Sequence, residues 1–267
     1  MPAAQDAEPI VAAERVERRD APPALDVVLL IAGLIALWQL GTLTLGREAL
    51  PSPATTVSKL AGLMADEDFP RHAWETARAF LTALLISLVA GLAIGLALGA
   101  HRLSSEVSEP ILTALYSIPK ITLYPIILLL FGLGISARIA FGVIHGIIPV
   151  ILFTMNAVRN IRAVYLRSGR AMRLTRTQTA LTIIIPATLP EIVSGFRVGF
   201  ALTLLGTLIG EMFASQRGIG YMLVKAMETG DTGTVTALAL LLVVLASAAS
   251  AALLALDRRL RRYALTS

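Results

Sequence analysis

Six stretches of the sequence are apolar over about twenty residues each, and this property limits the possible folds more than any other. A helix needs roughly 20 apolar residues to cross a hydrocarbon core about 30 Å thick. The chain is 56% apolar and 15% charged, with a mean hydropathy of +0.75, which lies outside the soluble globular range. The sequence therefore predicts an all-α membrane protein with about six transmembrane helices. These spans are predicted near residues 25–45, 79–100, 111–133, 137–155, 191–214 and 234–256.

The distribution of arginines predicts the orientation of these spans. An even number of spans places both termini on one side, and the side richer in Lys and Arg is cytoplasmic. The arginines of the proposed inside segments are Arg15, Arg18, Arg19, Arg102, six in the loop after the fourth span, Arg258, Arg259, Arg261 and Arg262. This predicts an N-in, C-in topology with a membrane domain over residues 24–257. Residues 1–23 are predicted to be a disordered cytoplasmic tail, not a signal peptide, and residues 258–267 a basic cytoplasmic tail.

The cytoplasmic loop between the fourth and fifth spans is predicted to dock a cytosolic partner. This 35-residue stretch, Asn156–Pro190, contains six arginines and no acidic residue, and it ends in the letters IIIPATLP. The arginines of the loop are Arg159, Arg162, Arg167, Arg170, Arg173 and Arg176. They would also fix the topology if no partner were bound.

Prolines and ionisable residues at membrane depth mark a candidate translocation path. Such charges are costly in the membrane and are often functional, but a long side chain near a helix end can carry its charge to the interface. Prolines within spans are tolerated where neighbouring helices or a water-filled cavity satisfy the freed backbone groups. The candidate path residues are Pro119, Lys120, Pro125, Arg197 and Glu211. For Lys120 and Arg197, a structural role by snorkelling or pairing inside the bundle is the alternative.

Glycines recur at four-residue spacing in several spans. The pattern comprises Gly91, Gly95 and Gly99 in the second span, and the pairs Gly142/Gly146, Gly195/Gly199 and Gly206/Gly210 in later spans. Small residues on one stripe let helix backbones approach closely in lipid. We expect packing within the chain, with a dimer seam as the alternative.

No catalytic motif is present in the sequence. It contains no phosphate-binding loop of the form GxxxxGK[ST], no HExxH pair, no GxSxG elbow and no cysteine. The sequence therefore predicts a non-enzymatic protein without a metal site, driven either by an ion gradient or by another subunit. An ion-coupled secondary transporter is the alternative function, although clusters of buried acidic residues are not evident.

The chain from Leu50 onward resembles the membrane subunit of type I ATP-binding-cassette importers. The matching patterns are LPSP at Leu50–Pro53, SIPKITLYP at Ser117–Pro125, FGLG at Phe131–Gly134, PATLPEIVSGFRVGFA at Pro186–Ala201, and GEMFAS followed by GIGY at Gly210–Tyr221. They are similar to the branch that transports nitrate, sulfonates, taurine and pyrimidine precursors. This resemblance implies the type I importer permease (MetI-like) fold in a bacterial inner membrane.

The resemblance also assigns a register to the arginine loop. The family signature is EAA, three residues, a glycine, nine residues and then Ile-x-Leu-Pro, folded as two short helices that dock on the ATPase. Counting back from Pro186, Arg167 replaces the acid, Ser168 and Gly169 replace the two alanines, and Arg173 replaces the glycine. The expected coupling residues are Arg167, Ser168, Gly169, Arg170, Ala171, Met172, Arg173, Thr175, Arg176 and Pro186. If the position of Arg173 requires a positive φ angle, the turn there is strained.

Two interpretations of this degenerate loop remain open. Its arginines dock on an acidic groove of a matched ATPase, or it engages weakly beside a second permease with an intact loop. The resemblance implies an ATPase dimer that binds ATP and magnesium, a periplasmic binding protein, and a second permease chain, either identical or related. It also implies a re-entrant element near the outer mouth, with Gly218, Gly220, Tyr221 and Met222 as candidates. The expected cargo is a sulfonate- or nitrate-like anion or a vitamin-precursor heterocycle.

Overall fold

In the computed structural model, residues 23–266 are described, and they contain helices and turns but no strand. The predicted N-terminal tail, except for its last residue, lies outside the described residues. The α-helices are α1 (Pro23–Leu45), α2 (Pro53–Met64), α3 (Phe69–Gly99), α4 (Arg102–Ser117), α5 (Tyr124–Phe131), α6 (Ile135–Arg159), α7 (Ala163–Ala171), α8 (Arg176–Thr179), α9 (Ile185–Ala214), α10 (Ile219–Glu228) and α11 (Thr232–Thr266). The 3₁₀ turn Lys120–Leu123 precedes α5, and the π-helical turn Ala180–Ile184 precedes α9.

The predicted all-α fold with about six spans is confirmed. Five segments are long and apolar enough to cross a membrane, and α4 with α5 form a sixth if the bent pair counts as one span. The five long segments are Leu25–Leu45, Phe69–Gly99, Ile135–Arg159, Thr177–Ala214 and Thr232–Ala255.

The third predicted span, 111–133, is not one continuous helix. The chain bends by 84° between Arg102–Ser117 and Lys120–Phe131. Ile118 is extended, with φ −64° and ψ 132°, because the ring of Pro119 disfavours a helical conformation in the residue before it. Pro125 lies in the first turn of α5, where its missing N–H needs no intrahelical partner.

The other spans are longer than the sequence patterns predict. The second predicted span begins at residue 79, but α3 begins at Phe69. The fifth begins at residue 191, but α9 begins at Ile185 and continues a helical path from Thr177. The predicted C-terminal tail, 258–267, belongs to α11 as far as Thr266. Polar residues at these helix ends hide the helix from an apolar-run criterion.

Helix α6 is the centre of the bundle. It is the most buried of the five long helices in the described part of the chain, and it packs most extensively against α9 and α3. Its buried side chains include Phe141, Ile151 and Met155.

The glycine stripes pack within the chain. A Cβ added to Gly91 would lie 2.8 Å from Cβ of Val150, and one added to Gly95 would lie 2.9 Å from the Ile151 carbonyl oxygen. On the other face of α6, a Cβ on Gly146 would lie 3.0 Å from the Gly199 carbonyl oxygen. Gly99, Gly142, Gly206 and Gly210 meet the same helix interfaces. Glycine therefore permits backbone contacts that any side chain would separate.

We predict that Gly95→Ala destabilises the protein, whereas Gly33→Ala does not. Both residues lie within helices, so alanine improves helix propensity equally, but no atom lies within 4 Å of a Cβ at Gly33. Overpacking at Gly95 should cost about 1–3 kcal/mol. Thermal unfolding in detergent measures the difference, and equal midpoints for the two variants would contradict the close α3–α6 approach.

Candidate functional site

The arginine loop folds as two short helical pieces joined by a tight turn. Helix α7 covers Ala163–Ala171, and α8 with the π-helical turn covers Arg176–Ile184. Gly169 is buried in this hairpin, where an added Cβ would lie 2.8 Å from Cδ1 of Ile183. The two pieces therefore pack against each other at the position of the second missing alanine.

Arg173 occupies the turn with a left-handed backbone. Its φ is 53°, the one positive φ of a non-glycine residue among the described residues. The Arg173 N–H donates to the Arg170 carbonyl at 3.0 Å, and the Leu174 N–H donates to the Gly169 carbonyl at 3.0 Å. This pair of bonds is the Schellman motif that ends a helix and usually places glycine at this position. The turn has a backbone conformation that glycine adopts readily, so an arginine here carries a conformational cost.

The second piece of the hairpin starts with a capping box. The Thr175 N–H donates to the Gln178 side-chain oxygen at 2.9 Å, and the Gln178 N–H donates to the Thr175 hydroxyl at 3.3 Å. Pro186 then lies in the first turn of α9, directly after the π-helical turn. Because proline has no N–H and its ring crowds the carbonyl four residues earlier, the wider turn before it avoids a clash.

The loop arginines have different environments. Arg159 at the end of α6 forms an ion pair with Glu109 of α4, so it connects two membrane helices. Arg162, Arg167, Arg170 and Arg173 are exposed, and so are Ser168 and Ala171. Met172, beside the turn, is 71% exposed. The loop thus presents an apolar side chain surrounded by positive charge.

Two candidate path residues, Lys120 and Arg197, lie near Tyr116. The Lys120 ammonium donates to the Tyr116 carbonyl at 2.9 Å and lies 4.9 Å from the centre of the Tyr116 ring. Arg197 and Tyr116 line the same cavity, which has a volume of about 450 Å³ and lies between α4, α9 and α11. Pro119 precedes the 3₁₀ turn that holds Lys120, and Pro125 starts α5 after it.

Arg197 lies deeper in its helix than the sequence predicts. The predicted span starts at residue 191, about six residues before it, whereas α9 starts at Ile185 and ends at Ala214. Arg197 is therefore the thirteenth residue of this 30-residue helix. A central position argues against the snorkelling that serves arginines near helix ends.

Glu211 lies at the opposite end of α9 in a buried polar network. Its Oε2 accepts hydrogen bonds from the Thr76 hydroxyl at 2.8 Å and from the Gly220 N–H at 3.0 Å. Its Oε1 lies 3.6 Å from Nη1 of Arg138, whose Nη2 donates to Glu75 at 3.2 Å. The network joins α3, α6, α9 and α10. Because Glu211 is fully buried, its position favours a structural role over direct contact with cargo.

The candidate re-entrant element begins beside this network, whose side chains accept hydrogen bonds from its first N–H groups. The first N–H groups of α10 have no intrahelical partner and must bond elsewhere. The Gly218 N–H donates to Nδ1 of His72 at 3.0 Å, and the Ile219 N–H donates to the Thr76 hydroxyl at 2.8 Å. With Gly220 on Glu211, side chains of two other helices cap α10. A Cβ on Gly220 would lie 2.8 Å from Cβ of Glu211, so glycine is required for this approach.

The other residues of the element pack on α3 and α11. Tyr221 stacks on His72 with ring centres 6.0 Å apart, and Met222 packs against the cluster of Phe69, Ile219 and Leu238. The sequence patterns did not identify His72, Glu75, Thr76 or Arg138 as parts of this site. One sequence signal could have indicated this site: Arg138 and Glu75 are charged residues of opposite sign near the ends of predicted apolar spans.

The outer network borders a second cavity. Its volume is about 700 Å³, and its lining includes Glu75, Arg138 and the exposed Arg217. Within residues 23–266, no group of three or more described His, Cys, Asp or Glu side chains is arranged to hold a metal ion. The hairpin of α7 and α8 lies at one end of the bundle and the network around Glu211 at the other. The cavity lined by Tyr116 and Arg197 lies between them.

Comparisons with known proteins give a consistent result. A family model described as "Binding-protein-dependent transport system inner membrane component" matches residues 76–262. The riboflavin transport system permease protein RibX of Chloroflexus aurantiacus is 31% identical over 212 residues, which cover 79% of this chain and 79% of that protein. The taurine transport system permease protein TauC of Escherichia coli is 27% identical over 249 residues, 90% of each chain.

A solved structure shares the fold. A chain of the methionine ABC transporter MetNI, in a structure of inward-facing conformations, aligns with a TM-score of 0.58 at 22% identity. The alignment covers 71% of this chain and 94% of that chain. At this level of identity, the likeness concerns the arrangement of helices alone.

We predict that Glu211→Ala destabilises the outer end of the bundle. The substitution leaves the Gly220 N–H without its acceptor, removes the shorter hydrogen bond of the Thr76 hydroxyl and removes one counter-charge of buried Arg138, at a cost of about 3–5 kcal/mol. Glu211→Gln keeps an acceptor oxygen and should lose less. Thermal unfolding and hydrogen exchange of Gly218–Glu228 measure both effects. Glu228→Ala, at an exposed residue of α10, is the control, and an equal loss in that control would contradict the capping role.

We predict opposite effects of glycine at two neighbouring arginines. Arg173→Gly removes the left-handed strain and should stabilise the hairpin by about 1 kcal/mol, which is roughly a fivefold slower local hydrogen exchange. Arg170→Gly places glycine inside α7 and should destabilise it by about 0.5–1 kcal/mol. Exchange in residues 163–175 measures both variants. If hydrogen exchange became faster in both variants, the turn at Arg173 would carry no strain.

Proposed function

This chain belongs to the family of binding-protein-dependent transport system inner membrane components, and we propose that it couples transport to ATP hydrolysis through residues 156–190. As a member of this family it is a multi-pass permease subunit of the inner membrane, and it is similar over most of its length to importer permeases. The family works with a substrate-binding protein and an ATPase. An ion-coupled secondary transporter belongs to a different class of protein.

The observation that carries the proposal is the hairpin of α7 and α8. It has the length and the turn of a docking element, and it presents exposed arginines around Met172. Such a surface suits an acidic groove with an apolar pocket, because charge guides the encounter and the buried apolar contact holds it. ATP and magnesium would bind to the partner ATPase and not to this chain.

A movement of the hairpin would be transmitted through α9. The hairpin joins α9 through the π-helical turn, α9 packs along α6, and Glu211 near the far end of α9 holds α10. A displacement of the hairpin by the ATPase would therefore shift a helix that reaches the outer network. Two permease chains with two ATPases would alternate access between a periplasmic binding protein and the cytosol.

The second permease chain in this proposal is a copy of the same chain. A related permease with an intact loop is the alternative, because Arg167, Gly169 and Arg173 depart from the family signature. The cargo is a small polar solute. RibX is named for riboflavin and TauC for taurine, so a vitamin-like heterocycle and a sulfonate-like anion are both compatible with this proposal.

We predict that charge reversal of the loop prevents coupling. The triple variant Arg167→Glu, Arg170→Glu and Arg173→Glu should lose co-purification with the cognate ATPase and stimulation of ATP hydrolysis in liposomes. The loss follows from repulsion by an acidic groove, which costs several kcal/mol. Each quantity is measured against the wild type with its binding protein present.

Two matched variants separate charge from folding and from general damage. Arg173→Gly relaxes the turn and should keep coupling, while Arg217→Glu reverses an exposed arginine near the outer network and should leave ATPase assembly intact. Normal assembly and transport by the triple variant would refute docking through this loop. Assembly of the purified chain with a second, different permease would select the heterodimer.

A further inference from the structure

We propose that the cavity lined by Tyr116 and Arg197 is a membrane-embedded binding site for the sulfonate-type or nitrate-type oxyanion of the transported solute. This inference rests on the proposed transport function and selects between its two cargo classes. The cavity has a volume of about 450 Å³ and lies between α4, α9 and α11. Such a space accommodates a small organic anion.

Arg197 lies well inside the membrane-spanning part of the bundle. Charged groups at the two ends of α6 mark the borders of the bundle, with Arg138 held by Glu75 and Glu211 at one end and Arg159 held by Glu109 at the other. These two arginines are about 32 Å apart along the helix, close to the thickness of a hydrocarbon core.

The contact between α6 and α9 then places Arg197 within this distance. Gly195 of α9 packs on Phe153 of α6, because a Cβ there would lie 3.0 Å from Cγ of Phe153. Phe153 is six residues before Arg159, and Arg197 lies two residues further toward the outer end. Arg197 is therefore about 12 Å inside the border marked by Arg159.

Arg197 has no counter-charge among the described residues. Among the described residues, the Arg197 guanidinium has no hydrogen bond or ion pair, and no described acidic side chain lines its cavity. The remaining lining residues, which include Ala201 and Leu254, are small or apolar apart from Ser250 and Tyr116. An arginine at this depth is costly, and pairing with an anion lowers that cost. Its planar group binds carboxylates and other oxyanions in a bidentate manner.

A second cation, Lys120, lies beside the cavity without lining it. The Lys120 ammonium donates to the Tyr116 carbonyl at 2.9 Å and lies 4.9 Å from the centre of the Tyr116 ring. It belongs to the break between α4 and α5, where the backbone leaves its helix at Pro119. Tyr116 therefore connects the lining of the cavity to a second positive charge. Positive charge in the lining and behind Tyr116 favours an anion over a neutral heterocycle.

Thiol chemistry in the assembled permease–ATPase complex tests this inference. The chain has no cysteine, so Ala201→Cys introduces one thiol of known position in this chain, and Leu205→Cys, one turn along α9, is the matched control. A cysteine-free form of the ATPase removes other targets. The complex is placed in phosphatidylcholine nanodiscs and treated with 2-sulfonatoethyl methanethiosulfonate or its trimethylammonioethyl analogue. We expect the anionic reagent to modify Ala201→Cys about tenfold faster than the cationic one.

The dependence on Arg197 provides the decisive comparison. Adding Arg197→Gln to Ala201→Cys should remove the preference for the anionic reagent, while Arg197→Lys should retain most of it. Methanesulfonate and nitrate should protect the thiol at concentrations at which riboflavin does not. If Arg197→Gln fails to fold, Arg197→Lys and the protection assay on the single-cysteine form still decide the matter.

Several outcomes would overturn the inference. Equal rates for the two reagents, no reaction with either, or equal preference at Leu205→Cys would show that no anion site exists in this cavity. Protection of the thiol by a short-chain phosphatidylglycerol, with no protection by methanesulfonate or nitrate, would assign the arginine to a lipid phosphate. Asp257 is three positions after Leu254 in sequence. If Asp257→Asn strongly increased the preference of the Ala201→Cys thiol for the anionic reagent, Arg197 would be assigned to the Asp257 carboxylate. Failure of ATPase assembly in the same preparations would instead refute the proposed function.

Discussion

The close approach of α6 to α3 and α9 is the contact on which the other features depend. Lipid provides little hydrophobic drive for helix association, so the helices gain from packing at short range, and glycines make this range possible. On one side, Gly91, Gly95 and Gly99 let α3 reach the backbone of α6. On the other side, glycines of both helices bring α6 and α9 together. The resulting unit places the hairpin of α7 and α8 and the network around Glu211 at opposite ends of the same helices.

Buried polar contacts then attach the less regular elements to this unit. The network of Glu211, Arg138 and Thr76 caps α10 by side chains from α3 and α9. At the inner end, Arg159 and Glu109 attach α4 to α6. A polar group in the membrane interior must find a partner within the protein, and this requirement gives each attachment a defined geometry. Helix α9 carries one of these attachments itself, through Glu211, and contacts the other through α6.

Local patterns were sufficient for several features of the site. The arginine loop has a recognisable register because Pro186 and the capping residues Thr175 and Gln178 are close in sequence. The strain at Arg173 follows from one rule about positive φ, and the structure has φ 53° at this residue. Other features were missed because their partners are distant. Glu75 and Arg138 are 63 residues apart, and Thr76 and Glu211 are 135 residues apart. No local pattern reveals such pairs.

The amino-acid sequence by itself determined the class of protein, the approximate number of spans and the position of the arginine-rich loop between two of them. The physical reason is that hydrocarbon thickness, charge asymmetry and proline each act on a short stretch of chain. Tertiary structure alone decided three other features. The third span bends by 84°, and Arg159 forms an ion pair within the bundle, not on the loop surface. Arg197 lies deep in the bundle and lines a cavity together with Tyr116. These outcomes depend on which helices meet, because a charge in the membrane is defined by its neighbours as much as by its position in the chain.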